Sequence, residues 1–224
     1  SNPFFLYLAF DAPHEPYIID NTTWYDDETW DMNTKRYASL VTHMDAAIGR
    51  LLKELDKLKL RKNTLVIFAS DNGAAIQAPL AELHCNASLK GRKGQLYEGG
   101  IRVPFIVNQP GKVPVQKLSN IIYFPDMMPT FAALAGVSRN LPQHLNGMNI
   151  LPLFYGKKLD TDTRLLYWEF PGKQRAGRKG DWKAVTITPN SPLELYNIKE
   201  DMTESHNLAD KYPEIVKELD KEMK

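Results

Sequence analysis

The chain has 224 residues, 43% hydrophobic and 25% charged, ordinary fractions that exclude disordered and fibrous architectures and fit one large domain or one with a small appendage. Its 28 basic and 27 acidic side chains leave a formal charge of +1, without the basic excess by which nucleic-acid binders meet phosphate. A single cysteine, Cys85, excludes an internal disulfide framework and a cysteine-built zinc site, and no apolar run approaches the ~18 residues that span a bilayer.

Residues 3–10 form a nearly unbroken apolar and aromatic run, the pattern of a strand covered on both faces in an α/β sheet. The run breaks at Asp11, after which Pro13 and Pro16 bracket His14. Residues 18–33 read as a long polar loop carrying Trp24 and Trp30, a length often reserved for function. Asn33 or Thr34 is the expected cap of the clearest helix. Tyr37, Leu40, Val41, Met44, Ile48, Leu51, Leu52, Leu55 and Leu58 follow at three- and four-residue steps with charged residues between them. The lysines of 57–62 suit the negative pole of its dipole.

Residues 65–70 are short, β-branched and apolar. Strand, amphipathic helix and strand with tight connections predict a βαβ unit and hence a parallel pair. Phe105, Ile106 and Val107 make a further strand ended by Pro110 and Gly111. Residues 126–136 predict a helix that packs through Met128, Phe131 and Leu134 and closes at Gly136. From about Thr163 the character changes: segments 165–168, 182–187 and 193–197 predict an antiparallel meander, and Pro213 opens a last helix on Ile215, Val216, Leu219 and Met223. The fold class is α/β: a mixed, largely parallel sheet sandwiched by helices over residues 1–160, then a small antiparallel sheet plus helix over 161–224.

Three positions could carry chemistry. Asp71 and Asn72 follow the predicted 65–70 strand, at the edge where open α/β sheets hold ligands. Together they offer two hard oxygens to Ca²⁺ or Mg²⁺, with Gly73 letting the backbone turn past an ion; Ca²⁺ wants 6 to 8 such ligands, so others must come from elsewhere. As a tripeptide, Asp-Asn-Gly equally reads as a plain turn. His14 directly follows a predicted strand, where an imidazole can donate to an anionic oxygen or shuttle a proton, or simply be solvated. Lys93 lies between glycines in the Lys90 to Gly94 segment, where clustered cations hold a sulfate or phosphate, or face solvent. Glu98 and Arg102 flank Gly99 and Gly100 and are read as a scaffolding pair. Tyr167, Trp168, Trp182 and Tyr196 are read mainly as packing residues, and Cys85 as an incidental thiol.

Taken in order, segments 3–16, 41–73, 89–104, 124–136, 180–183 and 193–197 resemble the sulfatase family of the alkaline phosphatase superfamily, nearest in flavour to the aryl and glycosaminoglycan-type enzymes. The resemblance covers nearly the whole chain and implies a partial alkaline-phosphatase-like fold. It implies that Asp71 and Asn72 bind the active-site Ca²⁺, with Mg²⁺ as the alternative, and that His14 and Lys93 contact the sulfate ester as catalytic and substrate-binding residues. Many relatives have Gly-Gly-Lys-Gly where this chain has Gly91-Arg92-Lys93-Gly94, so Arg92 either adds a cation to the substrate site or moves the loop.

Sulfatases carry a formylglycine, made from Cys or Ser in a C/S-x-P-x-R motif, and an Asp-Asp pair earlier still. Neither occurs here. The expectation is a C-terminal portion of a sulfatase, inactive alone, whose partners are a sulfated small molecule or glycan and the missing N-terminal half. Uncovered sheet surface would favour self-association. No nucleic-acid or membrane-span partner is expected; a periplasmic, extracellular or lysosomal location is implied by the resemblance. Residues 18–33 and the basic 173–181 segment (Lys173, Arg175, Arg178, Lys179) are candidates for setting substrate specificity, the latter reading either as a loop suited to a polyanionic glycan or, more simply, as a solvated basic loop. Two other readings stand beside this one: a phosphoesterase or phosphonate hydrolase of the same superfamily, and a non-catalytic glycan-binding or interaction module.

Overall fold

The structure, a computed structural model, describes residues 2–171, 174–189 and 191–224. The chain forms two compact units, one built from the chain up to Arg61 with Ala74–Ala87, the other from Lys62–Gly73 with Ser88–Lys224.

The first unit is organised by α1 (Met32–Lys57). Its N-cap is Asp31, not Asn33 or Thr34: the Asp31 backbone is extended and its carboxylate accepts the Thr34 N–H at 2.7 Å. That bond holds the Asp31 carboxyl below its ordinary range and satisfies one of the orphan donors of the first turn. Thr34, Ala38, Ser39 and Leu55 are buried, the middle of the apolar stripe is half-buried, and Val41 and Leu58 are exposed. Tyr17 meets Tyr37 edge-on at 5.3 Å, and the Tyr25 hydroxyl lies 2.6 Å from Thr42 Oγ1. The polar 18–33 segment carries a 3₁₀ turn, Thr23–Tyr25; α2 (Leu80–Leu83) is a single turn.

Residues 3–10 form no strand, contrary to the sequence pattern. All are exposed where described, Phe5 at 72% and Tyr7 at 80%. Apolar composition favours an extended chain, but a strand exists only through a ladder to a neighbour, and no described strand pairs with this segment. The parallel pair with 65–70 is therefore absent.

In the second unit β1 (Val66–Ala69) pairs instead with β2 (Phe105–Asn108), antiparallel, from Val66 opposite Asn108 to Ala69 opposite Phe105. The same unit carries the helices α3 (Glu98–Ile101), α4 (Met127–Leu134) and α5 (Leu151–Phe154). Ile150, Leu153 and Phe154 pack with Leu65, Ile67, Phe105 and Val107. In α4 the buried residues are Pro129, Thr130 and Ala132, whereas Met128 and Leu134 are exposed. The polar anchor decides this rotation: Thr130 Oγ1 donates to Asp126 O at 2.6 Å and accepts the Ile150 N–H at 2.9 Å. Gly136, at φ +74°, closes the helix as read from sequence. Fully buried Asp126 is gripped by both Arg164 terminal nitrogens, at 2.5 and 2.6 Å.

The C-terminal region is a four-stranded antiparallel sheet, β3 (Leu166–Phe170), β4 (Gln174–Lys179), β5 (Trp182–Thr186) and β6 (Glu194–Asn197), in that order. α6 (Pro213–Glu222) covers it, Leu219 and Met223 meeting Ala184 and Leu195. The strand missed from sequence is β4, read as part of a basic loop for polyanions. Its cations are spent within the fold: Arg175 pairs with Asp220 at 2.7 Å, Lys179 with Glu222 at 2.5 Å and Glu218 at 3.1 Å, and Arg178 with Glu98 at 3.8 Å. Lys173 lies outside the described residues. Among the described residues no helix is long and apolar enough to cross a membrane.

Candidate functional site

The Asp71-Asn72-Gly73 turn leaves the carboxyl end of β1 through Ser70, whose N–H donates to Pro104 O at 3.3 Å and whose hydroxyl donates to Asn72 O at 2.9 Å. Gly73 N–H then donates to Gly100 O at 3.0 Å. A Cβ at Gly73 would stand 1.8 Å from Gly99 O, so only glycine allows this approach. The same residues of α3 are held from the segment before it: Gly99 N–H donates to Lys90 O at 2.7 Å, and a Cβ at Gly99 would stand 2.4 Å from Gly91 O. Gly99 and Gly100 are thus a wedge on which both the Asp71-Asn72 turn and the 90–95 loop are seated.

In that loop, Gln95 N–H donates to Arg92 O at 2.9 Å, which places Lys93 and Gly94 at the tip, and Gln174 Nε2 ties Gly94 O down at 2.8 Å. Lys93 is exposed and Arg92 half-buried. Lys90 is turned into the scaffold, although the sequence reading grouped it with the anion-binding cations. Its ammonium donates to the Tyr196 hydroxyl at 2.9 Å, approaches Glu194 at 3.4 Å and lies 4.0 Å from the Tyr97 ring centre. Glu194 also accepts the hydroxyls of Tyr97 (2.8 Å) and Tyr196 (2.5 Å). Burial, reinforced by Glu194, pushes both phenols up; burial opposes ionisation of Glu194, but the two hydroxyls and Lys90 outweigh it and hold its carboxyl low.

Beneath the wedge is a cluster of buried charge. Arg102 Nε donates to Glu98 at 2.7 Å, the pairing expected from sequence, while Lys183 Nζ donates to the other Glu98 oxygen at 2.9 Å. The same ammonium forms an ion pair with Glu204 at 2.8 Å, and Glu204 accepts the Glu98 N–H at 2.6 Å. Burial raises the pKa of both carboxyls; at Glu98 the charges of Lys183 and Arg102 reverse it, while at Glu204 burial prevails over Lys183. Sequence reading missed Lys183 and Glu204. The available signal was a lysine inside an otherwise apolar strand, between Trp182 and Ala184.

His14 belongs to the first unit and is exposed. Its Nδ1 lies 2.7 Å from Glu15 O, an acceptor only, so Nδ1 carries a proton and the neutral ring keeps its lone pair on Nε2. Glu15, Pro16, Tyr17, Asn33, Arg36 and Gln77 line an open cleft of about 590 Å³ in this unit. The Cys85 thiol donates to Pro79 O at 3.5 Å, and burial pushes its pKa up, away from nucleophilic character.

Asn72 Nδ2 donates to Gly73 O at 2.9 Å, committing the amide nitrogen to the backbone and leaving the amide oxygen as a donor atom beside the exposed Asp71 carboxylate. This pair matches Ca²⁺ or Mg²⁺ in donor chemistry. Among the described residues no group of three or more His, Cys, Asp or Glu could hold a metal ion.

A family model described as Sulfatase matches residues 1–137, and one described as N-sulphoglucosamine sulphohydrolase, C-terminal, matches residues 92–224. The chain is 32% identical over 179 residues to an endo-4-O-sulfatase of Bacteroides thetaiotaomicron, covering 70% of this chain and 34% of that protein. It is 29% identical over 249 residues to arylsulfatase A of Homo sapiens, covering 97% and 47%. The crystal structure of Ps i-CgsB in complex with k-i-k-neocarrahexaose superposes with a TM-score of 0.87 at 33% identity, covering 99% of this chain and 49% of that one. The chain spans half or less of the length of these relatives. With more than half of its residues matched by the family model, the chain belongs to the sulfatase family.

Proposed function

We propose that this chain is part of a sulfuric ester hydrolase acting on a sulfated carbohydrate. Asp71 and Asn72 supply two oxygen ligands to Ca²⁺, with Mg²⁺ as the alternative. Lys93 and Arg92 offer cations to the sulfate oxygens, and His14 donates a hydrogen bond or a proton to the ester. The observation that carries this reading is the shared seat: the turn bearing the two oxygen donors and the loop bearing the two cations dock on the same Gly99–Gly100 step. The carbohydrate substrate is supported by similarity to an endo-4-O-sulfatase and to a sulfatase-fold structure bound to a neocarrahexaose. We further propose residues 1–160 as catalytic-domain sequence and 161–224 as its C-terminal subdomain.

Within this site the chain's own groups bind and orient. A half-buried guanidinium and an ammonium at a loop tip offset the charge of a sulfate and fix its direction. His14, whose Nδ1 is committed to Glu15 O, has Nε2 as the nitrogen through which a protonated ring would donate to an ester oxygen, a role that rests on the family resemblance. A bound divalent cation supplies Lewis-acid stabilisation of charge on the sulfate oxygens. The formylglycine motif of the family has no counterpart in the sequence, so the 224-residue chain alone is inactive.

Aryl sulfate turnover tests this. The chain alone with CaCl₂ gives none. A polypeptide that also carries the formylglycine segment hydrolyses the ester and loses about 10²- to 10³-fold in kcat on Lys93→Ala or Asp71→Ala. Turnover by the chain alone that Asp71→Ala abolishes, or full activity of the longer protein without Lys93, overturns the reading.

A further inference from the structure

The buried charge cluster takes no part in the proposed chemistry, yet it closes on the residue that heads the wedge. Lys183 and Glu204 side chains have no solvent exposure and Glu98 has 4%. Burying three such groups is a poor route to stability, because well-packed apolar residues of the same volume often do as well or better. What the cluster does specify is position. Glu98 is the first residue of α3, and the next two residues are the seat for the Asp71-Asn72 turn and the 90–95 loop.

We infer that Lys183 and Glu204 are positioning residues for the site. Lys183, from β5, grips the Glu98 carboxylate at 2.9 Å, and Glu204 grips the Glu98 backbone N–H at 2.6 Å. Between them they fix both ends of one residue, and the Lys183–Glu204 ion pair at 2.8 Å locks the two grips together. Glu204 is itself presented by a built loop. Its backbone takes φ +52°, and Asp201 accepts Thr203 Oγ1 (2.8 Å), Ser205 N–H (2.9 Å) and His206 N–H (2.8 Å) around it. The path from this loop to the metal-donor turn is short and continuous: Glu204 to Glu98 N–H, then along α3 to Gly100 O and Gly73 N–H. Residues more than a hundred positions downstream thereby set the height of Asp71 and Asn72 on their seat. The inference rests on the roles proposed for Asp71, Asn72 and Lys93.

The test uses the ¹⁵N-labelled 224-residue chain and two variants, Glu204→Gln and Lys183→Met/Glu204→Gln, with folding checked by near-UV circular dichroism. Amide hydrogen exchange and CaCl₂ titration are followed at Gly73, Gly99 and Gly100. Both variants should lose protection at these three amides while β3 to β6 keep theirs, and should bind Ca²⁺ about 10-fold more weakly, the order seen when groups behind metal ligands are removed. Protection that falls equally across β3 to β6, or wedge amides and Ca²⁺ affinity unchanged, overturns the inference. Should the wild-type chain show no Ca²⁺ response that Asp71→Asn removes, the metal assignment fails, and the exchange arm still decides the positioning role. If either variant does not fold, Glu204→Asp replaces it, keeping the charge but drawing the carboxylate back from the Glu98 N–H.

Discussion

Replacing Gly73 by alanine puts the seat under a direct load. The new Cβ would lie 1.8 Å from Gly99 O, where real Cβ contacts essentially never fall below 3.0 Å, and 3.1 Å from Gly100 Cα. The turn and α3 must therefore part by more than an ångström. That breaks the Gly73 N–H bond to Gly100 O, costing about 0.5–1.5 kcal/mol, and leaves overpacking costs of about 1–3 kcal/mol. The sum, about 2–4 kcal/mol, is a large share of a typical domain stability of about 5–15 kcal/mol, so the variant folds but is clearly weakened. Urea unfolding measures the loss, with Gly49→Ala as the control of opposite sign. Gly49 sits inside α1 with nothing within 4 Å of its Cβ position, so alanine there stabilises by about 0.5–1 kcal/mol. A Gly73→Ala loss below about 1 kcal/mol would mean that the Asp71-Asn72 turn is not seated on α3, and the shared-seat reasoning would fail with it.

Arg164→Met strips fully buried Asp126 of its two-pronged partner, leaving, among the described residues, the Met148 and Tyr123 N–H groups, and should cost about 3–5 kcal/mol in thermal or urea unfolding. Adding Asp126→Asn to that variant should recover much of the loss; no recovery would point to packing instead of charge. Burial opposes ionisation of Asp201, yet bonds from His206 N–H, Thr203 Oγ1, Ser205 N–H and Ser205 Oγ outweigh it and hold the carboxyl well below 3.8. A depressed pKa contributes stability above the unfolded value and loses it as pH falls through the folded one. The gap between wild type and Asp201→Ala should thus be about 1–3 kcal/mol at pH 7 and narrow progressively below about pH 4; a gap that is the same at pH 7 and pH 3 contradicts the assignment. The exposed run with Phe4, Phe5, Leu6 and Tyr7 should make the chain self-associate at tens of micromolar, and Phe5→Asp with Tyr7→Asp should reverse it in sedimentation velocity. A wild type that sediments as a monomer at every concentration defeats this expectation.

Local signals were legible in the sequence where one segment decided the outcome. The period of α1, the Gly136 stop, the Pro213 start and the Glu98–Arg102 pair all stand where the residues put them. Reading failed where the outcome depends on distant partners. Residues 3–10 have the composition of a buried strand but no described ladder to join, and 65–70 found its partner in Phe105–Asn108 without a crossover. The rotation of α4 followed Thr130 and Asp126, polar groups that an apolar-periodicity argument ignores. β4 hid behind its arginines and lysine because their acids, Glu98, Glu218, Asp220 and Glu222, lie far off in sequence. At the site, motif residues were visible as types and spacings, whereas Lys90, Lys183 and Glu204 acquire meaning only from what they touch.

The polypeptide leaves the second unit after Gly73 and re-enters it at Ser88. One cut anywhere within Ala74–Ala87 would yield two pieces that each own half of the same hydrogen-bonded junction: Gly73 from one, Gly99 and Gly100 from the other. Non-covalent complementation can then stand in for the severed peptide bond. The exposed positions of this excursion, such as Glu82 and Ala87, and not its buried Ala78 and Pro79, are accordingly the places to split the protein or insert a tag while leaving Asp71 and Lys93 where they are.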